Sequence, residues 1–444
     1  MNQLHLFLFS MQPLGRLASI IALLSIVANL SLAESPRAND PTENLHNADD
    51  GFEAPPVLSA SSLLAPGECA GPSHRVREQV PTDGYMAHFT IDSDYGTFVC
   101  AGIEQTRERI HEVYAIHSLI EVSRSDLFAD GLRRSIEQPI DAVKNIAKDP
   151  VRTVKAVPKT VGHFFKKVTT SVKSVASSIN DKNSGTGELS IRDSARDIGK
   201  GLASAGKGIA GFNSAKLECA KQLGVDPYAD NDRLQEELEK VSWVFFAGGL
   251  PLKIGTAVAS GGASQALTAT KLIGLPDEIY ALTPNELDLR NQQAMTAMQV
   301  SAEVQKAFTQ NPALSLSLRS SMLRSLEQLS GATGKPAIVE LAADCATRQQ
   351  ARFLEQSVRM LAGKGGKVSE IRVFGRLLAA VDSNGALLLP APVDYVSWTS
   401  EVAELTKRDD LSGLHPTILM PGSVSAHASK ELKSLGWISQ SPGR

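Results

Sequence analysis

Four short patterns in this 444-residue chain combine residue types that can do chemistry. Gly201 to Gly208 (GLASAGKG) approaches a phosphate loop, in which the N–H groups of a glycine-rich turn cradle phosphates and a Lys follows. The position that must be Ser or Thr to hold magnesium is Gly208, and no hydrophobic strand precedes the loop. A Gly/Ala helix face or a flexible loop accounts for it. Ser204 and Lys207 also have the Ser-x-x-Lys spacing of penicillin-recognising serine enzymes, but the companion Ser-Asp-Asn and Lys-Thr-Gly elements are absent. His111, Glu112 and His117 resemble the zinc helix HExxH. A metal needs the two rings at i and i+4; here i+4 is Ala115, and His117 lies about 240° around the helix. These read as surface or helix-end histidines, and no metal site is expected. Ser425 (GSVSA) follows a strand pattern and opens a helix, the setting of a nucleophile elbow, but the Gly-x-Ser-x-Gly spacing fails. A Ser N-cap explains it; an anion-binding helix N-terminus is the other reading. No catalytic residue and no cofactor follow from these patterns, and enzymatic activity stays open.

The four cysteines are Cys69, Cys100, Cys219 and Cys345. Cys69 and Cys100 flank a small β unit, and a disulfide between them is expected in an oxidising compartment. Cys345 shares a helical face with Ile338, Leu341 and Ala342 and reads as a small buried apolar residue. A Cys219–Cys345 bridge stays open. Without a Cys-x-x-Cys or Cys/His cluster, zinc is not indicated.

The compartment comes from residues 1–33. Arg16 precedes an apolar run from Leu17 to Leu32, and Ser31-Leu32-Ala33 gives a small-x-small cleavage pattern. This reads as a secretory signal peptide, with an uncleaved anchor as the competitor; the run is short of the about twenty residues that span a bilayer. The chain is then exported, to the periplasm or beyond the cell.

Segment 139–179 holds eight Lys and Arg against two Asp, a net +6, while the whole chain is at −3. PIDAVKNIAKD (139–149) aligns with PVRTVKAVPKT (150–160), an eleven-residue repeat of three helical turns. Val143, Val154 and Val157 fall on one apolar arc of roughly 140°. Lys144, Lys148, Lys155 and Lys159 line its flank. Three readings fit: a solvated face over an internal core contact, a helix pair on an anionic membrane surface, or a contact with an acidic protein. The overall charge gives no reason to expect nucleic acid.

The elements that must position these residues follow from patterning. Residues 34–66 are rich in Asp, Asn, Pro and Ser and read as a disordered linker. Short strands are expected at HRVREQV, YMAHFTI and GTFVCAG, with a helix over 103–125; residues 67–130 form this small β unit plus helix. The basic helical segment spans 131–190 and a helical domain 191–365. In the latter, Asn231 or Asp232 caps a helix over 233–246. Asp382-Ser383-Asn384-Gly385 between 371–381 and 386–393 is a hairpin signal. Helices over 395–408 and 425–435 and strands at 417–421 and 436–439 complete a C-terminal α/β domain, 366–444. The fold class is α+β, mainly helical, with a small N-terminal β unit, a helical middle and a C-terminal α/β domain. The expected function is an exported cell-envelope interaction protein acting through 139–179; the alternative is a secreted enzyme or effector with its site in the C-terminal domain.

Mass spectrometry of the exported protein is expected to find Glu34 as its first residue. A product that retains Arg16 and the apolar run would overturn cleavage after Ala33.

Overall fold

A computed structural model of the chain describes residues 51–137, 211–251, 254, 275–364 and 366–440. Residues 1–33, the first part of the expected linker, the basic segment with its four lysines and three valines, and Ser204 and Lys207 lie outside the described residues.

The described chain is an α+β mixture built on three apolar cores. The first belongs to the N-terminal lobe. Strands β2 (Ala70–Gly71), β3 (His74–Val76), β5 (His88–Ser93) and β6 (Gly96–Ala101) form an antiparallel sheet in that order. Alternation decides its faces: Phe89, Ile91 and Cys100 point inward, while Val99 points to solvent. Helix α1 (Ile103–Ser123) lies across the inner face. Its other side packs on helix α4 (Asp232–Ala247), which also receives α2 (Asp126–Glu137). Asn231 caps α4 by accepting a hydrogen bond from Leu234 N. Residues of helix α3 (211–223) and of α4 share this core, so both belong to the N-terminal lobe and not to a separate helical domain beginning at 191.

Residues 51–66 depart from the expected linker. β1 (Val57–Ser59) pairs antiparallel with β4 (Gln79–Pro81), and Ala60 and Leu64 are buried in the N-terminal core. The Pro- and Ser-rich composition hides them because their partner strand lies some twenty residues further on.

The second and third cores sit on opposite faces of one sheet. Helices α5 (Pro284–Ala297), α6 (Ala302–Gln310), α7 (Leu316–Gln328), α8 (Lys335–Ala343) and α9 (Arg348–Ala362) form the helical lobe. Side-chain caps from Ser301, Ser315 and Thr347 start three of them, and Thr283 with Glu286 makes a capping box. The sheet beneath them has the order β13 (Ile438–Gln440), β11 (Thr417–Leu419), β9 (Leu387–Pro390), β8 (Leu377–Asp382), β7 (Val368–Phe374). Leu378, Ala380, Leu388 and Leu419 face the helical core; Ala379, Leu387, Leu389 and Ile418 face the other way, onto Trp398, Trp437 and α11 (Ala426–Ser434). A strand buried on both faces must be apolar at every position, which is why 387–389 reads Leu-Leu-Leu. The Asp382–Gly385 turn joins β8 to β9, with Gly385 at φ +85°. The run 371–381 is two strands, broken at Gly375. The helix expected over 395–408 is shorter, α10 (Ser400–Thr406), because Tyr395–Val396 (β10) pairs with Ser423–Val424 (β12).

Backbone bonds from Asp394 N to Tyr85 O and from Ser397 N to Gly84 O join the N-terminal lobe to the C-terminal one, and the Asp394 carboxylate adds to them. Asp394 accepts hydrogen bonds from Ala87 N (3.0 Å) and Ile103 N (3.1 Å), so it holds the end of the β-sheet and the start of α1 together. Gly102 between them sits at φ +94°, and a Cβ there would run into Met86. Met86 itself lies in the C-terminal core. A second strap comes from Glu53, whose carboxylate accepts from Trp398 N (2.6 Å) and from Ser425 Oγ.

Replacing Asp394 by Ala leaves two backbone donors without acceptors. The unfolding free energy in urea should fall by about 3 kcal/mol. A loss below about 0.5 kcal/mol would show that the clamp is dispensable.

Candidate functional site: a charge-lined cleft between the lobes

The described residues with the most perturbed environment lie where α1 meets α9. Along α1, Glu104, Glu108 and Glu112 recur every fourth residue and so share one face. Along α9, Arg348, Arg352, Glu355 and Arg359 recur at spacings of four, three and four and share another. The helices cross antiparallel and the stripes meet. Arg352 holds Glu108 with two hydrogen bonds (2.6 and 3.4 Å), and Arg359 pairs with Glu104. Arg359 Nε also lies 3.4 Å from Glu355, which accepts from Ser321 Oγ of α7 at 2.6 Å.

The loop before α4 closes the cluster. Asp230 accepts from Arg109 at 2.8 Å and lies 3.8 Å from both Arg348 and Arg352. Glu112 accepts from Arg109 at 2.7 Å and from Asn231 Nδ2 at 2.8 Å. Asp226 is buried and accepts from Tyr228 N (2.8 Å), while Ser317 Oγ of α7 lies 2.6 Å from each of its two carboxyl oxygens. Between these groups is a polar cleft of about 70 Å³.

Burial and neighbouring charge act in opposite directions here. Burial pushes Glu112 up to about 7 and Asp226 up to about 6, and it also raises Glu355. Burial alone would raise Asp230 too, but Arg352 and Arg109 outweigh it and hold that carboxyl below its ordinary value. Burial would strip the proton from Arg352; Glu108 and Asp230 keep it charged. Most acids and bases of the cleft are thus each other's ligands, and a charged substrate would have to displace an ion pair to bind.

Sequence reasoning passed over these stripes, because charges at helical spacing usually mark a solvated face. The signal that finds them is the match between an acidic i, i+4 stripe on one helix and a basic one on another.

The residues singled out in the sequence go elsewhere. His111 and Glu112 are interior, not surface or helix-end positions: the His111 ring bonds Leu223 O at 2.9 Å, and Glu112 joins the cluster just described. They turn inward because α1 is packed on both sides. His117 bonds Tyr95 OH at 2.7 Å, so the three groups do not converge. Among the described residues no group of three or more His, Cys, Asp or Glu is arranged to hold a metal ion. Ser425 is the N-cap of α11, accepting from Ala428 N, and the carboxylate beside that helix end is the chain's own Glu53.

The expected Cys69–Cys100 disulfide is not formed; both are free thiols, as are Cys219 and Cys345. The Cys69 Sγ points to Leu64 O in its own turn, while Cys100 faces the core across from Phe89. Cys219 and Cys345 occupy different cores. Burial pushes Cys100 and Cys219 up to about 12 and Cys345 up to about 11, far from a reactive thiolate.

No helix among the described residues is long and apolar enough to cross a membrane. Comparison with family models, with curated proteins and with solved structures finds no match to this chain.

Arg352→Met should cost about 3–5 kcal/mol in urea unfolding, because Glu108 is left buried without its partner. Adding Glu108→Leu should recover more than half of that loss. A double variant no better than the single one would mean that the two side chains do not act as a pair.

Proposed function

We propose that this chain is an exported cell-envelope interaction protein whose folded body presents the basic segment 139–179 to an anionic membrane surface. The observation that supports this reading is where the described chain stops before the segment and resumes after it. It stops at Glu137, the end of α2, and resumes at 211 in α3, and both helices rest on α4. On one side Phe128 packs on Phe245, and Gly131 brings α2 close to Val244. On the other, Phe212 meets Trp243, which stacks toward Phe246. The described chain on either side of the stretch that carries +6 thus rests on one helix. Near an anionic surface each basic residue contributes about 1 kcal/mol.

The reading as a secreted enzyme has less behind it. In the C-terminal domain, Asp394 and Ser425 hold backbone and helix ends, as described above, and are not turned toward a common cleft.

The test is sedimentation of the full mature chain with vesicles of phosphatidylglycerol or of phosphatidylcholine. Binding is expected to the first and not the second. Changing Lys144, Lys148, Lys155 and Lys159 together to Gln should weaken it by on the order of a hundredfold or more, and added salt should weaken it further. Equal binding to both vesicle types, or none to either, would overturn the membrane reading; capture by an acidic protein without vesicle binding would replace it.

A further inference from the structure

We propose that the joint between Asp226 and Ser317, which ties the N-terminal lobe to helix α7, closes with uptake of a proton, so that the lobes are held more firmly in mild acid than in base.

The geometry leads to this by counting charges and protons. Six carboxyls line the junction: Glu104, Glu108, Glu112, Asp226, Asp230 and Glu355. Four guanidiniums answer them: Arg109, Arg348, Arg352 and Arg359. The other five carboxyls each have a guanidinium within 4 Å, whereas among the described residues Asp226 has no ion-pair partner. Its partners are a hydroxyl and a backbone N–H. The Ser317 hydroxyl has one proton, yet it lies 2.6 Å from both oxygens of Asp226. Ser317 donates that one proton to both oxygens as a fork, so among the described residues only this hydroxyl and Tyr228 N answer the buried charge, and a proton on the carboxyl relieves the shortage.

The groups facing Asp226 come from every element packed there. Glu108 of α1 repels its charge and Arg352 of α9 attracts it. Tyr228 and Tyr280 are both pushed upward by burial, with Asp226 adding to it, and stay neutral. Burial dominates and raises the carboxyl from 3.8 to about 6.

A carboxyl raised by closure stabilises the closed state fully below its ordinary value, and that contribution is lost as pH rises through about 6. Glu112 and Glu355, also raised, act in the same direction. Asp230 is lowered and acts in the opposite one, but only in stronger acid. Between about pH 4 and 7, the net effect is loosening with rising pH.

Native-state hydrogen exchange on the full chain, corrected for intrinsic exchange rates, reads the opening of 226–230 and 315–321. Wild-type opening is expected to grow from pH 5 to pH 8, with Asp226, at 3.8 when open and about 6 when closed, supplying about tenfold of the growth. Asp226→Asn, which keeps the shape of an uncharged carboxyl, should remove that tenfold share and leave the part that Glu112 and Glu355 supply. Ser317→Ala withdraws a hydrogen bond that favours the ionised form and should move the midpoint to higher pH. Equal opening at both pH values in the wild type, greater opening at pH 5, or a wild-type profile in Asp226→Asn would each overturn the proposal. Should Asp226→Asn not fold, the wild-type and Ser317→Ala profiles decide it: an unmoved midpoint counts against the joint.

Discussion

The pairing of the α1 carboxylates with the α9 guanidiniums is the constraint on which the rest of the arrangement depends. Helix α1 is surrounded: the β-sheet covers one side, α4 the other, and its polar face is pressed against the helical lobe. Glu108 and Glu112, largely covered there, are met by Arg352 and Arg109, while Glu104 stays half exposed beside Arg359. Replacing a buried ion pair by apolar side chains is often neutral, whereas removing one partner is costly. The pairing therefore contributes less to net stability than to position. It sets which residues of α9 lie against which of α1, and hence how the two lobes meet.

Other fastenings between distant parts of the chain are also carboxylates. Asp394 gathers two backbone donors from the N-terminal lobe, and Glu53 gathers Trp398 N and Ser425 Oγ. Apolar contacts supply most of the burial within each core, but they are non-directional. A carboxylate with two donors fixes both an angle and a distance. The division of labour is clear at Gly102: Met86 fills the C-terminal core, and Asp394 decides the path of the backbone next to it.

What the sequence revealed was local. The Asn-Gly turn, the Asn231 and Ser425 caps, and the strands that alternate in polarity all depend on residues within a few positions of one another. What stayed hidden has its cause far along the chain. β1 needs β4 to be a strand, Cys100 is turned to the core by the sheet register, and the 371–381 run splits at Gly375 where the chain reverses. His111 and Glu112 read as surface positions because nothing near them in sequence says that residues 223 and 231 will cover them.

The cleft shows why charge is the hardest signal to read. A glutamate at every fourth position is the ordinary pattern of a solvated helix, and an arginine stripe is no different. Each stripe alone is ambiguous; only their antiparallel match, 104 to 359 and 108 to 352, removes the ambiguity. That match also separates two kinds of charge in this chain. The acids of the junction, Asp226 excepted, are met by arginines of the same junction. The lysines of 139–179 belong to a stretch of sequence with only two Asp to offset them.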